Sequence, residues 1–537
     1  MDYLMKKILD KRFLYILCFM GLNVIEYLKA SQTGNIWTLA VNCTGFVMAV
    51  IIFSAYPLKD FINWVNGVWT LLCFGAVVFA HIFWQQYFYL WYKWQAETAI
   101  LNIWWLGILL GYLSKKIFVE KTMKLRPNFN GWIFIAMTAL MTFSVSGRVW
   151  PLWYFLMFGC FYLTDYKPED RKKLWDGMID GCIVSFFCIQ IFAYGFRPYD
   201  EIRYKGAFSN CNMMALYYLI IYLMCLYKLH ILQMRNAKKG WKLFYLIGAG
   251  GMLSFQIFTL GRTAWITSVL ITLLYGVLVI KKLWQKNWRQ VIARGFALVL
   301  AVIITFLPVF YSIRYLPTIM HYRVWYEGEY GIDKVHSFDP ADSEKYIDLD
   351  EFMDAFLGRI MTMLRNADAK NPFVLQAYAA EQDKSEDFVV QAELLEPEWI
   401  TDLGLRIRLS IYKAYAEDLT WYGNPTSAGY YRIGDSRYHS WHAQNLWLQI
   451  AYYFGIPSGV LLIVLTVNLF RTHYRRAKTK ENPYTIIPFF LCVLFFFFGL
   501  MEVVWNTGQL VLILFYFVQH PQIGMVESCV AEENVVK

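Results

Sequence analysis

The residues of this chain that can do chemistry gather where polar sequence meets apolar sequence. The clearest such place is Ser436–Gly459, SRYHSWHAQNLWLQIAYYFGIPSG. His439, His442, Gln444 and Asn445 stand on the last residues before an apolar run. A histidine titrates near neutrality and can take or give a proton at such a boundary. Residue by residue, the simpler account is a helix cap from Ser440 or Asn445, with Trp441 and Trp447 as interfacial anchors. As a group, they read as a site where a lipid head group and a water-soluble substrate meet.

Three further stretches carry cations. Arg262 lies in IFTLGRTAWITSVL, where two apolar runs meet almost without a loop. A charge there is expensive and functional by default; the alternative is snorkelling to the interface. RPYDEIRYKGAFSNCNMMALYYL holds Arg197, Arg203 and Lys205 with Asn210 and Asn212. It suits a phosphate-bearing ligand, or equally a loop paired through Asp200 and Glu201. In LRIRLSIYKAYAEDL, the residues Leu405, Leu409, Tyr412, Ala416 and Leu419 recur at helical spacing. Arg408 stands at the edge of that face and Arg406 on the polar side, so Arg408 either points inward or is exposed with only its stem buried. Glu26 and Glu502 sit near the ends of their apolar runs, each able to pair an arginine or to be only a helix-end carboxylate.

These residues need elements to hold them, and composition says what kind. Of the 537 residues, 58% are hydrophobic, 19% aromatic and 17% charged. The mean hydropathy is +0.37, and a soluble chain of this length would carry more charge. Apolar runs of about 17–25 residues recur, each long enough to span a bilayer core. The expectation is an all-α polytopic membrane protein; continuous rather than alternating runs exclude a β-barrel. Fourteen spans are read at 13–29, 36–56, 62–84, 97–114, 131–146, 150–165, 177–196, 213–232, 243–260, 263–280, 295–313, 445–468, 485–504 and 507–519. The fifth, sixth and last are short, so 12–14 helices are expected. The chain then divides into 1–313 with eleven spans, an extracytoplasmic loop domain at 314–444, three spans in 445–519 and a cytoplasmic tail at 520–537.

The net charge of +10 is no nucleic-acid signal. Its Lys and Arg fall in clusters at Lys6–Arg12, Lys115–Arg126, Lys167–Lys173, Arg235–Lys242, Lys281–Arg294 and Arg471–Lys480. All six fall on one side if the spans alternate, and basic loops mark the cytoplasmic side. Both termini then come out cytoplasmic. The apolar run after MDYLMKKILDKR lacks a small-residue cleavage site and reads as a retained anchor. Most of the ten cysteines lie in apolar runs and none in 314–441, so no disulfide framework is expected. Metal-ligand spacing is also lacking.

The segment 314–441 is acidic, with 22 Asp and Glu against 13 Lys and Arg. It is too long for a plain connector. ADSEKYIDLDEFMDAFLGRIMTMLRNA predicts an amphipathic helix, acidic early and with Arg359 and Arg365 late. Residues 369–404 read as surface. Asp348-Leu-Asp350 could suggest a metal-dependent glycosyltransferase, but it sits in the acidic helix and reads as surface too.

Taken together, three stretches resemble the O-antigen ligases and O-antigen and capsule polysaccharide polymerases of bacterial envelopes. They are KGAFSNCNMMALYYL, TLGRTAWITSVLITLL, and the run from RLSIYKAYAEDLTWYGNP to HAQNLWLQIAYYFGIPSGVLL. The likeness covers roughly 200–465, and the order of the motifs around a long loop is more specific than any one of them. Gly261 occupies the family's Ser position, and Gln444 stands where the family usually has His before Asn445. Glutamine is no base, so that role would pass to His442 or His439, and a polymerase fits better than a ligase.

The resemblance implies transfer of a glycan from a polyprenyl-diphosphate carrier to an acceptor hydroxyl, on a glycan or a lipid, at the outer leaflet of the bacterial cytoplasmic membrane. It implies no metal or other cofactor, and possible polysaccharide-assembly proteins as partners. Arg262 and Arg408 would stabilise the departing diphosphate. His442, held by Asn445, would act as base, with Gln444, His439, Arg203, Lys205, Asn210 and Asn212 binding substrate. Two other classes remain: a lipid-linked glycan flippase, whose charges should lie near the bilayer midplane, and a scaffold or sensor, which needs neither Arg262 nor His442.

Overall fold

The computed structural model describes residues 10–30, 34–87, 93–123, 127–146, 150–196, 199–200, 203–206, 208, 211–235, 237–319, 325–327, 333–335, 349–364, 403–433, 436–440, 442–479, 483–503 and 510–523. The expectations for Asn210, Arg197, Glu201, Asp348, Trp441, all of 365–402 and the tail beyond 523 lie outside them.

Helices occupy every apolar run. They are α1 (Lys11–Ala30), α2 (Gly34–Phe53), α3 (Trp64–Tyr87), α4 (Lys93–Ser114), α5 (Phe129–Thr142), α6 (Trp150–Leu163), α7 (Pro168–Phe196), α8 (Cys211–Met234), α9 (Lys239–Phe258) and α10 (Arg262–Tyr275). A π-helical segment, Gly276–Ile280, leads into α11 (Lys281–Ile319). After the long segment come α14 (Leu446–Phe454), α15 (Ile456–Thr479), α16 (Ile486–Gly499) and α17 (Leu510–Gln519). Among the described residues, five helices are long and apolar enough to cross a membrane, lying within α3, α7, α8, α11 and α15. Shorter apolar helices include α5 and α16. The chain is an all-α protein with membrane-spanning character.

Burial follows position in the bundle. α8 is buried nearly all round, as an all-apolar helix at a bundle centre must be. α3 instead exposes Leu71, Leu72, Phe74 and Ile82, a surface suited to lipid. In lipid, apolar area alone does not hold helices together, so close backbone approach does. Gly177 and Gly181, one turn apart on α7, provide it: a Cβ on either would collide with Tyr15 or the Ile16 carbonyl of α1.

The helices bring chain segments to two opposite ends. At one end, Lys11 meets Asp170, Asp10 meets Lys173, and Asp180 lies between Arg12 and Lys228. Tyr484 donates to Asp176, and Trp175 donates to the Ile523 carbonyl at 2.6 Å. At the other end lie the α7–α8 connection, the α9–α10 corner, the last residues of α16 and the described parts of the long segment. Gly250 against Ala301, Ser254 against Thr305 and Phe258 against Phe310 show α9 and α11 running parallel.

The long segment is itself partly helical. α12 (Leu349–Leu364) lies on the bundle, with Phe352 against Phe258 and Phe356 against Trp265. α13 (Leu403–Glu417) packs on a hairpin of β5 (Gly429–Ile433) and β6 (Ser436–Ser440), in register Gly429↔Ser440 to Ile433↔Ser436. Two smaller antiparallel hairpins precede these: β1 (Tyr199–Asp200) with β2 (Arg203–Tyr204), and β3 (Trp325–Glu327) with β4 (Asp333–Val335).

Three expectations change here. The run 445–468 is two helices, not one span, because Gly455 has φ +99° and ends α14. Gly459 then packs on Ala451, folding α15 back along α14. On α13 the buried residues are Ile407, Ile411 and Tyr415, because the β5–β6 hairpin covers that side; of the expected stripe, Ala416 is exposed and Leu419 packs at the edge of this cluster. Trp447 is buried against Phe496, so it anchors helix to helix, not to an interface.

Candidate functional site

The site starts from the break before α14. Asn445 has extended backbone geometry and caps the helix, its Oδ1 accepting from Leu448 N at 3.0 Å. Its Nδ2 donates to the Leu500 carbonyl at 3.2 Å. The expected hold of Asn445 on His442 is therefore replaced by a tie to the end of α16. Gln444 has φ +50°, which turns its amide back toward the preceding ring: Gln444 N donates to His442 Nδ1 at 3.2 Å.

That bond fixes the tautomer of neutral His442. A ring nitrogen that accepts leaves the proton on Nε2, so His442 presents a donor. Burial pushes its pKa down; Arg408 pushes the same way and Glu502 opposes. The base role expected for His442 is not the one this geometry serves, because its accepting nitrogen is already occupied. His439 lies on β6, exposed, with its ring against Tyr430.

α13 reaches the same place. Arg408 Nη1 donates to the Met501 carbonyl at 3.1 Å, and Nη2 lies 3.5 Å from Glu502 Oε1. One turn on, the Tyr412 hydroxyl is within hydrogen-bond reach of the Leu500 carbonyl (2.8 Å) and the Gln444 carbonyl (3.1 Å). Burial raises its pKa, so it stays a donor. The carbonyls at the end of α16 are the free ones any helix leaves at its C-terminus. Here Arg408, Tyr412 and Asn445 satisfy them.

Glu502 links this corner to the bundle. Its Oε1 accepts from Asn212 Nδ2 at 2.7 Å. Asn212 Oδ1 accepts from Arg203 Nη2 at 2.9 Å, and Arg203 Nε donates to the Thr259 carbonyl at 3.1 Å. Arg262 follows three residues later as the first residue of α10 and is half-buried. Arg359 of α12 donates to the Leu260 carbonyl at 3.4 Å. Leu260 has φ +51° at the corner between α9 and α10.

Four arginines from four elements thus gather at the end of the bundle that holds Glu502. Arg203, Asn212, Glu502, Arg408, His442, Gln444 and Asn445 are brought together, with Arg262 on the adjoining corner. Lys205 is 1% exposed, below the surface where a ligand would arrive. Arg359 was legible only as a late helix cation. Arg314, 4% exposed with its guanidinium 6.0 Å above the Phe310 ring, stands at the same end; the signal that marks it is an arginine directly after an apolar span.

No family model, curated protein or solved structure matches the chain.

Proposed function

We propose that this protein is a membrane glycosyltransferase that moves a glycan from a polyprenyl-diphosphate carrier to an acceptor hydroxyl, most plainly as a polymerase of polysaccharide repeat units. One observation supports the reading above the others: Arg203, Arg262, Arg359 and Arg408 meet at the end of the bundle that holds Glu502. A diphosphate leaving group gains negative charge as the glycosidic bond breaks. Guanidinium groups fork two hydrogen bonds to phosphate oxygens and stay charged. Such preorganised charge is typically the largest contribution to lowering a barrier.

In this reading 12–14 helices span the membrane, the paired end faces the cytoplasm and the arginine end faces outward. The acceptor oxygen attacks the anomeric carbon, the carbon–oxygen bond to phosphate breaks, and its electron pair leaves on the lipid diphosphate. His442 Nε2–H donates to an oxygen that gains charge. The position of the arginines at a helix-bundle end, rather than at mid-height, favours surface chemistry over a flippase, whose ionisable groups belong near the midplane.

The test uses purified protein in detergent with a polyprenyl-diphosphate-linked glycan from the host's own pathway. Wild type is expected to release lipid diphosphate and lengthen the glycan, and Arg262→Ala to lose most of that rate. If the donor is bound or moved across a bilayer but never cleaved, the transferase reading is wrong and transport replaces it.

A further inference from the structure

We propose that Glu502 is the general base that takes the acceptor's proton, an assignment that rests on the transferase reading above. His442, the obvious alternative, already uses its accepting nitrogen on Gln444 N. To take a proton at Nε2 it would have to change tautomer and give up that bond. Glu502 has the opposite arrangement. Its two partners, Asn212 Nδ2 and Arg408 Nη2, both lie on Oε1. Among the described residues, no hydrogen bond reaches Oε2. The side chain is 12% exposed, so it is not sealed from solvent.

The neighbours suit the task. Arg408 faces the carboxylate from α13, Arg203 faces it through Asn212, and His442 and Tyr412 stand close enough to feel its charge. Asn212 and Arg408 orient the group from one oxygen and leave the other for the acceptor. In the step, the acceptor oxygen bonds to the anomeric carbon as its proton passes to Oε2. The anomeric carbon–oxygen bond breaks and the electron pair departs on the diphosphate. Water later takes the proton from Glu502. Charge and atoms balance without a further reactant.

The experiment compares wild type, Glu502→Gln and His442→Gln on the same polyprenyl-diphosphate-linked glycan, reading donor binding and single-turnover transfer separately. Glu502→Gln is expected to bind donor within about threefold of wild type and to lose about 10²–10⁴-fold in transfer, the usual contribution of a positioned base. His442→Gln, which keeps a donor in place of the ring N–H, is expected to lose transfer too, but clearly less than Glu502→Gln. Added formate is expected to restore part of the transfer in Glu502→Ala. Glu502→Asp covers a glutamine variant that does not fold. It keeps the charge but retracts it by one methylene, and about a hundredfold loss is expected for such a misplacement. Transfer retained in Glu502→Gln, a His442→Gln loss as deep as that of Glu502→Gln, or equal loss of donor binding and transfer would each overturn the assignment. A wild type that cleaves no such donor removes the transferase reading itself, and this proposal with it.

Discussion

The two ends of the bundle use charge in opposite ways. At one end, acidic side chains are paired with cations: Lys11 with Asp170, Lys173 with Asp10, Arg12 and Lys228 with Asp180, Lys116 with Glu120. The pairs of Asp170, Asp10 and Asp180 tie α1, α7 and α8 together, and Lys116–Glu120 closes the turn after α4. At the other end, Arg408 and, through Asn212, Arg203 converge on Glu502, with Arg262 and Arg359 at the adjoining corner. A matched network stabilises and binds nothing. Cations drawn from four elements to one half-dry corner are costly to place, and such places are where function is found.

The comparison breaks first if charge at the arginine end proves structural. Arg408→Ala is expected to reduce transfer by about 10²–10³-fold, the usual effect of removing one preorganised donor to a charged transition state, read as the rate of lipid diphosphate release. Equal activity with a lowered melting temperature would place Arg408 with the structural pairs instead.

Next in size is the clasp that carries the site. Gly423 (φ +84°) and Gly455 (φ +99°) lie backbone to backbone, and a Cβ on Gly455 would collide with the Trp421 carbonyl. Ile456 N donates to Thr420 O and Asn424 N to Tyr452 O, each at 3.0 Å. Gly455→Ala is expected to destabilise by about 1–3 kcal/mol from backbone strain, with more from the collision. It should lower both melting temperature and transfer. A stable, active variant would show that α14 is held by other contacts.

Asp180→Asn probes the opposite end. It deprives Arg12 and Lys228 of a shared carboxylate whose side chain is 15% exposed. Charged hydrogen bonds contribute about 1.5–3 kcal/mol when sheltered, less with partial solvent screening. The expected result is a lower melting temperature in detergent and unchanged transfer per folded molecule. Lost transfer at full stability would join the two ends functionally.

The smallest effect is in pH. Burial holds His442 below its ordinary value of 6.5. Above about pH 6.5 both folded and unfolded states are neutral at this ring, and it does not bias folding. As pH falls below 6.5 the unfolded chain takes the proton first, so stability drops until the folded ring also protonates. Wild type should therefore lose more melting temperature between pH 7 and 5 than His442→Gln. The extra loss of stability is at most about 1.4 kcal/mol for each tenfold by which folding weakens proton binding to the ring. An equal loss in both would mean that the ring is not buried as described.

Much of this molecule could be read from one dimension. Apolar runs are a local property of sequence, and each became helical, one of them as two helices. Arg203, Asn212, Arg262, Arg408, His442, Asn445 and Glu502 stood out because polar groups at the ends of apolar runs are few and expensive. Asn445 as a cap follows from its place before LWLQI. The tertiary structure alone decided which of these residues meet. Glu502 and Asn212 are 290 residues apart in sequence. Their hydrogen bond depends on the first turn of α8 and the end of α16 lying at one level. The buried stripe of α13 was chosen by the β5–β6 hairpin, since LRIRLSIYKAYAEDL offers two apolar stripes and only a partner can select between them. The break at Gly455 was likewise hidden, because a glycine inside an apolar run is compatible with an unbroken span until another backbone, here Trp421–Gly423, needs the space its missing Cβ leaves.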